Sequence, residues 1–215
     1  MIAAAGWPVR MKWCVLVMSV GLILTSCRVL PGTTLPRPAA RTIDEAASLG
    51  AACAQAHTGP PDFTVQRIQP LGTTMLVLYT STCPNPGPNA PGPERIVGYT
   101  LVQPWKDGWD ATAGGYYVDQ HNDPPGTIAR DDIGYGAHGE QRIIFGEVLQ
   151  PEQVVAVEVT LSDGRVLRDD LTNRFFLLTA PAGVEACERR VLAADGTVLE
   201  RKNLGPMIPV CQAQR

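Results

Sequence analysis

The sequence predicts a mainly β protein of the α+β class, with one N-terminal helix on an antiparallel meander, followed by a small antiparallel β-sandwich-like unit. Three observations predict this class: one segment with helix-start signals, several short segments in which apolar and polar residues alternate, and turn residues between them. The chain has 215 residues, of which 45% are hydrophobic and 18% charged, so it is a globular protein of one or two domains rather than a disordered chain.

The helix signal begins at Thr42 in the segment TIDEAASLGAACAQAH. Glu45 follows Thr42 by three residues as in a capping box, acidic residues occupy the first turn, and alanine dominates after it. Pro60 and Pro61 stop the pattern, so we expect the helix to continue until close to these prolines.

Strand patterns follow the helix. The meander is predicted from four segments, at 63–69, 73–83, 95–103 and 108–118, and the later unit from segments at 154–161, 165–171, 175–181 and 188–202. Asp163-Gly164 and Asp195-Gly196 are typical hairpin turns. The proline-rich segment 84–94 is predicted to be an exposed loop, and the polar segment 119–138 a solvated loop with Asx turns.

The N-terminus has the pattern of an export signal. An uncharged, mostly apolar run of 14 residues, Trp13 to Ser26, follows Arg10 and Lys12 and is too short for a typical membrane span. The sequence Leu-Thr-Ser-Cys that closes it, ending at Cys27, resembles the lipobox of bacterial lipoproteins. This resemblance implies cleavage before Cys27 and lipidation of that cysteine. The alternatives are an ordinary signal peptide or an uncleaved anchor.

These patterns give the expected organisation of the chain. It comprises a lipoprotein signal peptide at 1–26, a lipidated cysteine and proline-rich tether at 27–41, the helix plus meander at 42–145, and the hairpin or sandwich unit at 146–215. Loss of the signal leaves 16 basic and 21 acidic residues, a net charge of −5. With no basic stripe, we expect no nucleic-acid partner, and adsorption to anionic lipid is disfavoured. The protein is expected to be exported and membrane-anchored by lipid, on the periplasmic or cell-surface side.

The remaining cysteines agree with export. Four follow the lipidation site, Cys53, Cys83, Cys187 and Cys211, and four cysteines in an oxidising compartment suggest two disulfides with three possible connectivities. We favour Cys53–Cys83 and Cys187–Cys211, because each pair lies within one half of the chain. A four-cysteine zinc site is the alternative, but the spacings are long and contain no C-x₂-C pair.

Candidate chemistry is sparse. No G-x-S-x-G elbow surrounds any serine, so no catalytic residue is assigned and we expect a protein that is not an enzyme. Asp119, His121 and Asp123 are weak metal-ligand candidates. A calcium loop would need Gly at position 124 and an acid at position 130, where Pro124 and Arg130 stand. No cofactor is predicted.

Aromatic residues give the better indication of binding. Trp105, Trp109, Tyr116 and Tyr117 lie close together among glycines and charged residues, as in surfaces that bind sugars or proteins. The alternative is that some aromatics of this stretch, Tyr99 and Trp109 above all, fill the core of the meander.

The order of motifs over residues 63–203 resembles that of exported bacterial β-rich proteins whose activity is not established, so the resemblance implies no activity. We therefore expect a lipid-anchored cell-envelope protein that acts as a non-catalytic binding or structural module contacting glycan or protein. Two alternatives stay open. One is an envelope enzyme with a polar site within 105–140, and the other is an inhibitor or assembly partner that uses a sheet edge.

Overall fold

The computed structural model describes residues 39–54, 59–84, 92–119, 123–136, 139–205 and 211. Within those ranges the chain forms one helix and eleven strands. They are α1 (Ile43–Gly50), β1 (Thr64–Leu71), β2 (Thr74–Cys83), β3 (Glu94–Trp105), β4 (Gly108–Val118), β5 (Ala129–Tyr135), β6 (Gln141–Val148), β7 (Ala156–Leu161), β8 (Val166–Asp170), β9 (Phe175–Pro181), β10 (Ala186–Leu192) and β11 (Val198–Asn203). The mainly β, α+β class predicted from the sequence is confirmed.

The strands form three antiparallel sheets. The first has the order β1-β2-β3-β4, the second β5-β6-β9 and the third β11-β10-β7-β8. The first sheet is the predicted meander, and the hairpins β7–β8 and β10–β11 lie where the Asp-Gly turns predict them.

The second sheet lies between the other two. Alternate residues of β6 face opposite sides: Ile143 and Phe145 join the core cluster shared with the first sheet, and Ile144 and Val148 join the cluster shared with the third. Burial on both faces explains why β6 and β9 are almost continuously apolar instead of alternating.

Helix α1 covers the outer face of the first sheet. The Thr42 hydroxyl accepts the Glu45 backbone N–H at 3.1 Å, which confirms the predicted cap. Ala46 and Ala47 are buried against the sheet, where their small side chains allow close approach.

The helix is shorter than the sequence predicts: it ends at Gly50 and not near Pro60. At Gly50 a β-carbon would stand 2.2 Å from that of Ala111, so only glycine lets the chain pass β4 here. The backbone then turns through a positive φ of 63° at Cys53, which bonds to Cys83 of β2. The disulfide ties the chain after the helix to β2.

Both favoured disulfides, Cys53–Cys83 and Cys187–Cys211, are present, so the predicted pairing is confirmed. Disulfides of this kind indicate an oxidising compartment outside the cytosol. Among the described residues, no helix is long and apolar enough to cross a membrane.

The solvated loop predicted for residues 119–138 is wrong in part. Residues 129–135 form β5, which pairs with β6 along its whole length. Tertiary contacts override the polar composition: the Tyr99 hydroxyl bonds both backbone groups of Tyr135, and Gly134 packs against the Tyr99 ring. Strand β6 also runs across the boundary predicted at residues 145 and 146 and joins β5 to β9.

Candidate functional site

A polar cleft of about 610 Å³ lies where the end of β4, the start of β5 and the β10–β11 hairpin meet. This volume is typical of sites for small molecules. The lining residues that carry its chemistry are Tyr117, Arg130, Asp131, Asp132, Arg189 and Glu200.

Arg189 forms the wall of the cleft on β10. It lies two residues before the buried Val191, so strand alternation turns its side chain inward, where it is fully buried. Its guanidinium forms ion pairs with Asp131 of β5 and Glu200 of β11, and Lys202 contacts both Asp131 oxygens at 3.1 Å. Burial lowers the pKa of Arg189, and the Asp131 carboxylate opposes that shift. This cluster holds the second sheet to the third.

A second ion-pair cluster lies between the first and second sheets. Glu147 of β6 is fully buried, and Arg95 of β3 binds both of its oxygens at 2.7 and 2.9 Å. Arg174 contributes a further contact at 2.6 Å, and Arg95 also reaches Asp119 at 2.9 Å. A bidentate, charge-assisted pair is the geometry in which a buried carboxylate is well compensated.

Tyr117 lies between these two clusters. Strand alternation places its ring on the inner face of β4, with its centroid 5.7 Å from that of Phe145. Its buried hydroxyl has no hydrogen-bond partner among the described residues, and the same is true of the Arg189 Nε. Burial raises the pKa of Tyr117 far above its ordinary value, and the nearby Glu147 raises it further. Two buried hydrogen-bond donors are therefore left unsatisfied around one cleft.

Asp132 contributes an acceptor to the same cleft. Its carboxylate accepts the Ile133 backbone N–H at 2.8 Å and, unlike Asp131, forms no ion pair with a described residue. Burial raises the pKa of Asp132, the hydrogen bond from Ile133 lowers it, and the neighbouring Asp131 raises it again. The cleft thus combines two buried donors that lack partners among the described residues with an exposed carboxylate at its rim.

The weak metal-ligand candidates stand beside this cleft. Asp119 and Asp123 both form ion pairs with Arg130, so an arginine takes the position that a cation would need. His121 lies outside the described residues. In the part of the chain that the structure describes, no group of three or more histidine, cysteine or acidic residues is placed to hold a metal ion.

The four predicted aromatic residues do not form one surface. Trp105 is 48% exposed at the β3–β4 turn, whereas Trp109 packs against Ala40 and the helix cluster. Tyr116 and Tyr117 are neighbours on β4 and therefore point to opposite faces, with Tyr116 37% exposed on the outer one. Of the four, only Tyr117 lines the cleft.

Sequence reasoning missed the charged residues that build the site. They are Arg189 and Glu200, which line the cleft, and Arg95 and Glu147 of the neighbouring ion-pair cluster. One usable signal was present, because Glu147 interrupts the apolar run IIFGEV, and a lone acid in a strand of that kind requires a buried cationic partner. For Arg189 and Glu200 no such signal exists, since both lie in charge-rich hairpin strands.

The outermost strands bear on the sheet-edge alternative. Strand β8 has the sequence VLRDD and β11 the sequence VLERKN, and they are the two outer strands of the third sheet. Charged side chains along an outer strand oppose the addition of another strand.

The fold and the cleft define a disulfide-bonded, β-rich α+β protein with a polar cleft large enough for a small ligand. No family model, curated protein or solved structure matches this sequence. The lipidation candidate Cys27 lies outside the described residues, so the argument for it remains that of the sequence.

Proposed function

We propose that the protein is a lipid-anchored component of the cell envelope, held at the membrane through Cys27, and that it is a non-catalytic module that binds envelope glycan in the polar cleft. The observation that carries this proposal is the buried Tyr117 hydroxyl in the cleft wall, which has no hydrogen-bond partner among the described residues. Leaving such a group unsatisfied costs about 1–3 kcal/mol. Because the hydroxyl has almost no accessible surface, a ligand oxygen recovers this cost by displacing the side chains that cover it.

The chemistry of the cleft suits a ligand rich in hydroxyl groups. Each sugar hydroxyl both donates and accepts, and the cleft presents exposed donors on Arg201 and Lys202 and an exposed acceptor on Asp132, with the Tyr117 hydroxyl buried in its wall. The surrounding ion pairs fix these groups before a ligand arrives, which reduces the entropy lost on binding. The carboxylates of Asp131 and Glu200 are engaged with Arg189, so they support the site instead of reacting.

Binding to defined glycan fragments tests this proposal. Full-length protein would be titrated by calorimetry with soluble fragments of cell-wall glycan, beside the variants Tyr117→Phe and Asp132→Asn. We expect each variant to lose affinity by about tenfold, since one good hydrogen bond corresponds to roughly 1.4 kcal/mol. The control is Tyr135→Phe, which removes the same hydroxyl from an exposed tyrosine that does not line the cleft.

The outcomes separate the possibilities. Equal glycan binding by wild type and the three variants would place the glycan outside the cleft. If no glycan binds and the protein instead captures one envelope protein, with capture lost in Tyr117→Phe, the ligand of the cleft is a protein.

One observation favours the alternative of an envelope enzyme. Asp132 lines the cleft, and burial raises its pKa, which is the property of a general acid. Under this alternative, glycan fragments would be cleaved during the titration, and Asp132→Asn would abolish cleavage while leaving binding in place.

A further inference from the structure

The predicted tether reaches the folded unit beside the β3–β4 hairpin. The Ala40 backbone N–H donates to the Trp109 carbonyl at 3.0 Å, and the Trp109 N–H donates to the Ala40 carbonyl at 2.9 Å. A β-carbon at Gly108 would lie 2.3 Å from the Ala40 oxygen, so glycine permits this close contact. The chain that comes from Cys27 is therefore fixed next to the hairpin turn.

The length of that chain limits how far the turn lies from the membrane. Twelve residues lead from Cys27 to Ala39, which at full extension span about 40 Å. All described residues belong to one compact unit, Pro38–Arg215, and a unit of that length has a diameter of about 40 Å. The tether at full extension is thus about as long as the folded unit is wide, so Ala40 and the turn beside it lie within about 40 Å of the cysteine that we propose to be lipidated.

The hairpin turn has the chemistry of a membrane interface. Pro104 to Asp107 are all exposed, and Trp105 is 48% exposed with the Lys106 ammonium 5.9 Å from its ring. Trp side chains prefer the headgroup region, and lysine keeps its charge in water while its stem lies along apolar surface. Lys106 and Asp107 cancel in charge, so the turn suits the interface by its apolar surface and not by attraction to anionic lipid.

We propose that the β3–β4 turn contacts the bilayer that holds Cys27, with Trp105 in the headgroup region. This inference rests on the proposed lipid anchoring. Tyr117 lies at the far end of β4, about 30 Å along the strand from the turn. Contact at Trp105 therefore directs the polar cleft away from the membrane, toward ligands in the envelope space.

Tryptophan fluorescence tests the contact. Trp7 and Trp13 precede Cys27, so the processed chain retains Trp105 and Trp109 alone. Mass spectrometry of the N-terminal peptide would first test whether Cys27 carries lipid. The full-length protein would then be reconstituted into phosphatidylcholine–phosphatidylethanolamine vesicles that carry brominated acyl chains. The matched variants are Trp109→Phe and Trp105→Phe. The difference in emission between wild type and Trp105→Phe gives the signal of Trp105 while Trp109 is intact.

We expect brominated lipid to reduce Trp105 emission by about twofold or more, with a shift to shorter wavelength. Trp109, which packs against Ala40 and the helix cluster, should not respond. The quenching should persist at high salt, because apolar contact and not charge supports it.

Three results would overturn the inference. If Cys27 carries lipid but Trp105 stays open to aqueous acrylamide and insensitive to brominated lipid, the contact is wrong while the anchor stands. Quenching of Trp105 by glycan instead of lipid would assign the turn to a glycan surface. Absence of lipid on Cys27 would overturn the anchor and the contact together, whereas glycan binding in the cleft would still depend on Tyr117.

Discussion

Replacing Tyr117 by phenylalanine should make the protein more stable. The hydroxyl is buried without a hydrogen-bond partner among the described residues, while the ring packs against Phe145 and is preserved in the variant. An unsatisfied buried hydroxyl costs about 1–3 kcal/mol, so its removal should add about 1–2 kcal/mol to the free energy of unfolding. For a domain of this size that corresponds to a rise in Tm of about 3–6 °C.

The same chemical change at Tyr99 should have the opposite sign. The Tyr99 hydroxyl donates to the Tyr135 carbonyl at 2.8 Å and accepts the Tyr135 N–H at 2.9 Å. Tyr99→Phe leaves both backbone groups without that partner and should cost about 2 kcal/mol. The two variants each remove one oxygen from a buried tyrosine, so the effects that they share cancel in the comparison.

Thermal and urea unfolding of both variants beside wild type would measure the difference. The midpoint and the slope of the urea transition are compared, because an unchanged slope shows that stability alone has changed. If Tyr117→Phe lowers stability as Tyr99→Phe does, the Tyr117 hydroxyl is satisfied in the folded protein, and the main support for a ligand in the cleft is lost.

Three further predictions concern the core. Glu147→Gln should lower the free energy of unfolding, measured with urea, by about 3 kcal/mol, because its arginine partners lose a buried counter-charge. An unchanged free energy of unfolding would show that the fold does not depend on this cluster. Burial raises the pKa of Tyr79 to about 12, so its contribution to the free energy of unfolding should be fully present below pH 10 and fall by about 3 kcal/mol as the pH rises to about 12. Tyr79→Phe should flatten this dependence of stability on pH. An unchanged dependence would assign it to other groups. Gly134→Ala places a carbon 2.3 Å from the Tyr99 ring and should cost about 1–3 kcal/mol, whereas Gly183→Ala, with open space around it, should be nearly neutral by the same measurement.

The strands that the sequence predicted are those that carry their own local signals. In the β7–β8 and β10–β11 hairpins, alternation and an Asp-Gly turn specify the strands without reference to the rest of the chain. The pairing Cys53–Cys83 was likewise favoured from sequence position. These features are local, so a single sequence contains them.

Strand β5 shows where local signals fail. Asp131 and Asp132 give it the composition of a loop, yet Arg189 of a distant strand neutralises Asp131, and Tyr99 fixes its end. The cleft was missed for the same reason, since residues from β4, β5, β10 and β11 converge only after the sheets have packed.

The amino-acid sequence alone was enough to predict the fold class, most of the strand positions, the helix cap and the resemblance to an export and lipidation signal, because each depends on residues close together in the chain. For the disulfides it favoured one of three pairings, which the structure then established. The tertiary structure decided where the helix stops, that β5 is a strand, which aromatic residues are exposed, and which charges meet in the cleft. Those outcomes depend on the packing of three sheets and on compensation of buried charges by distant residues, and neither is encoded in any single segment.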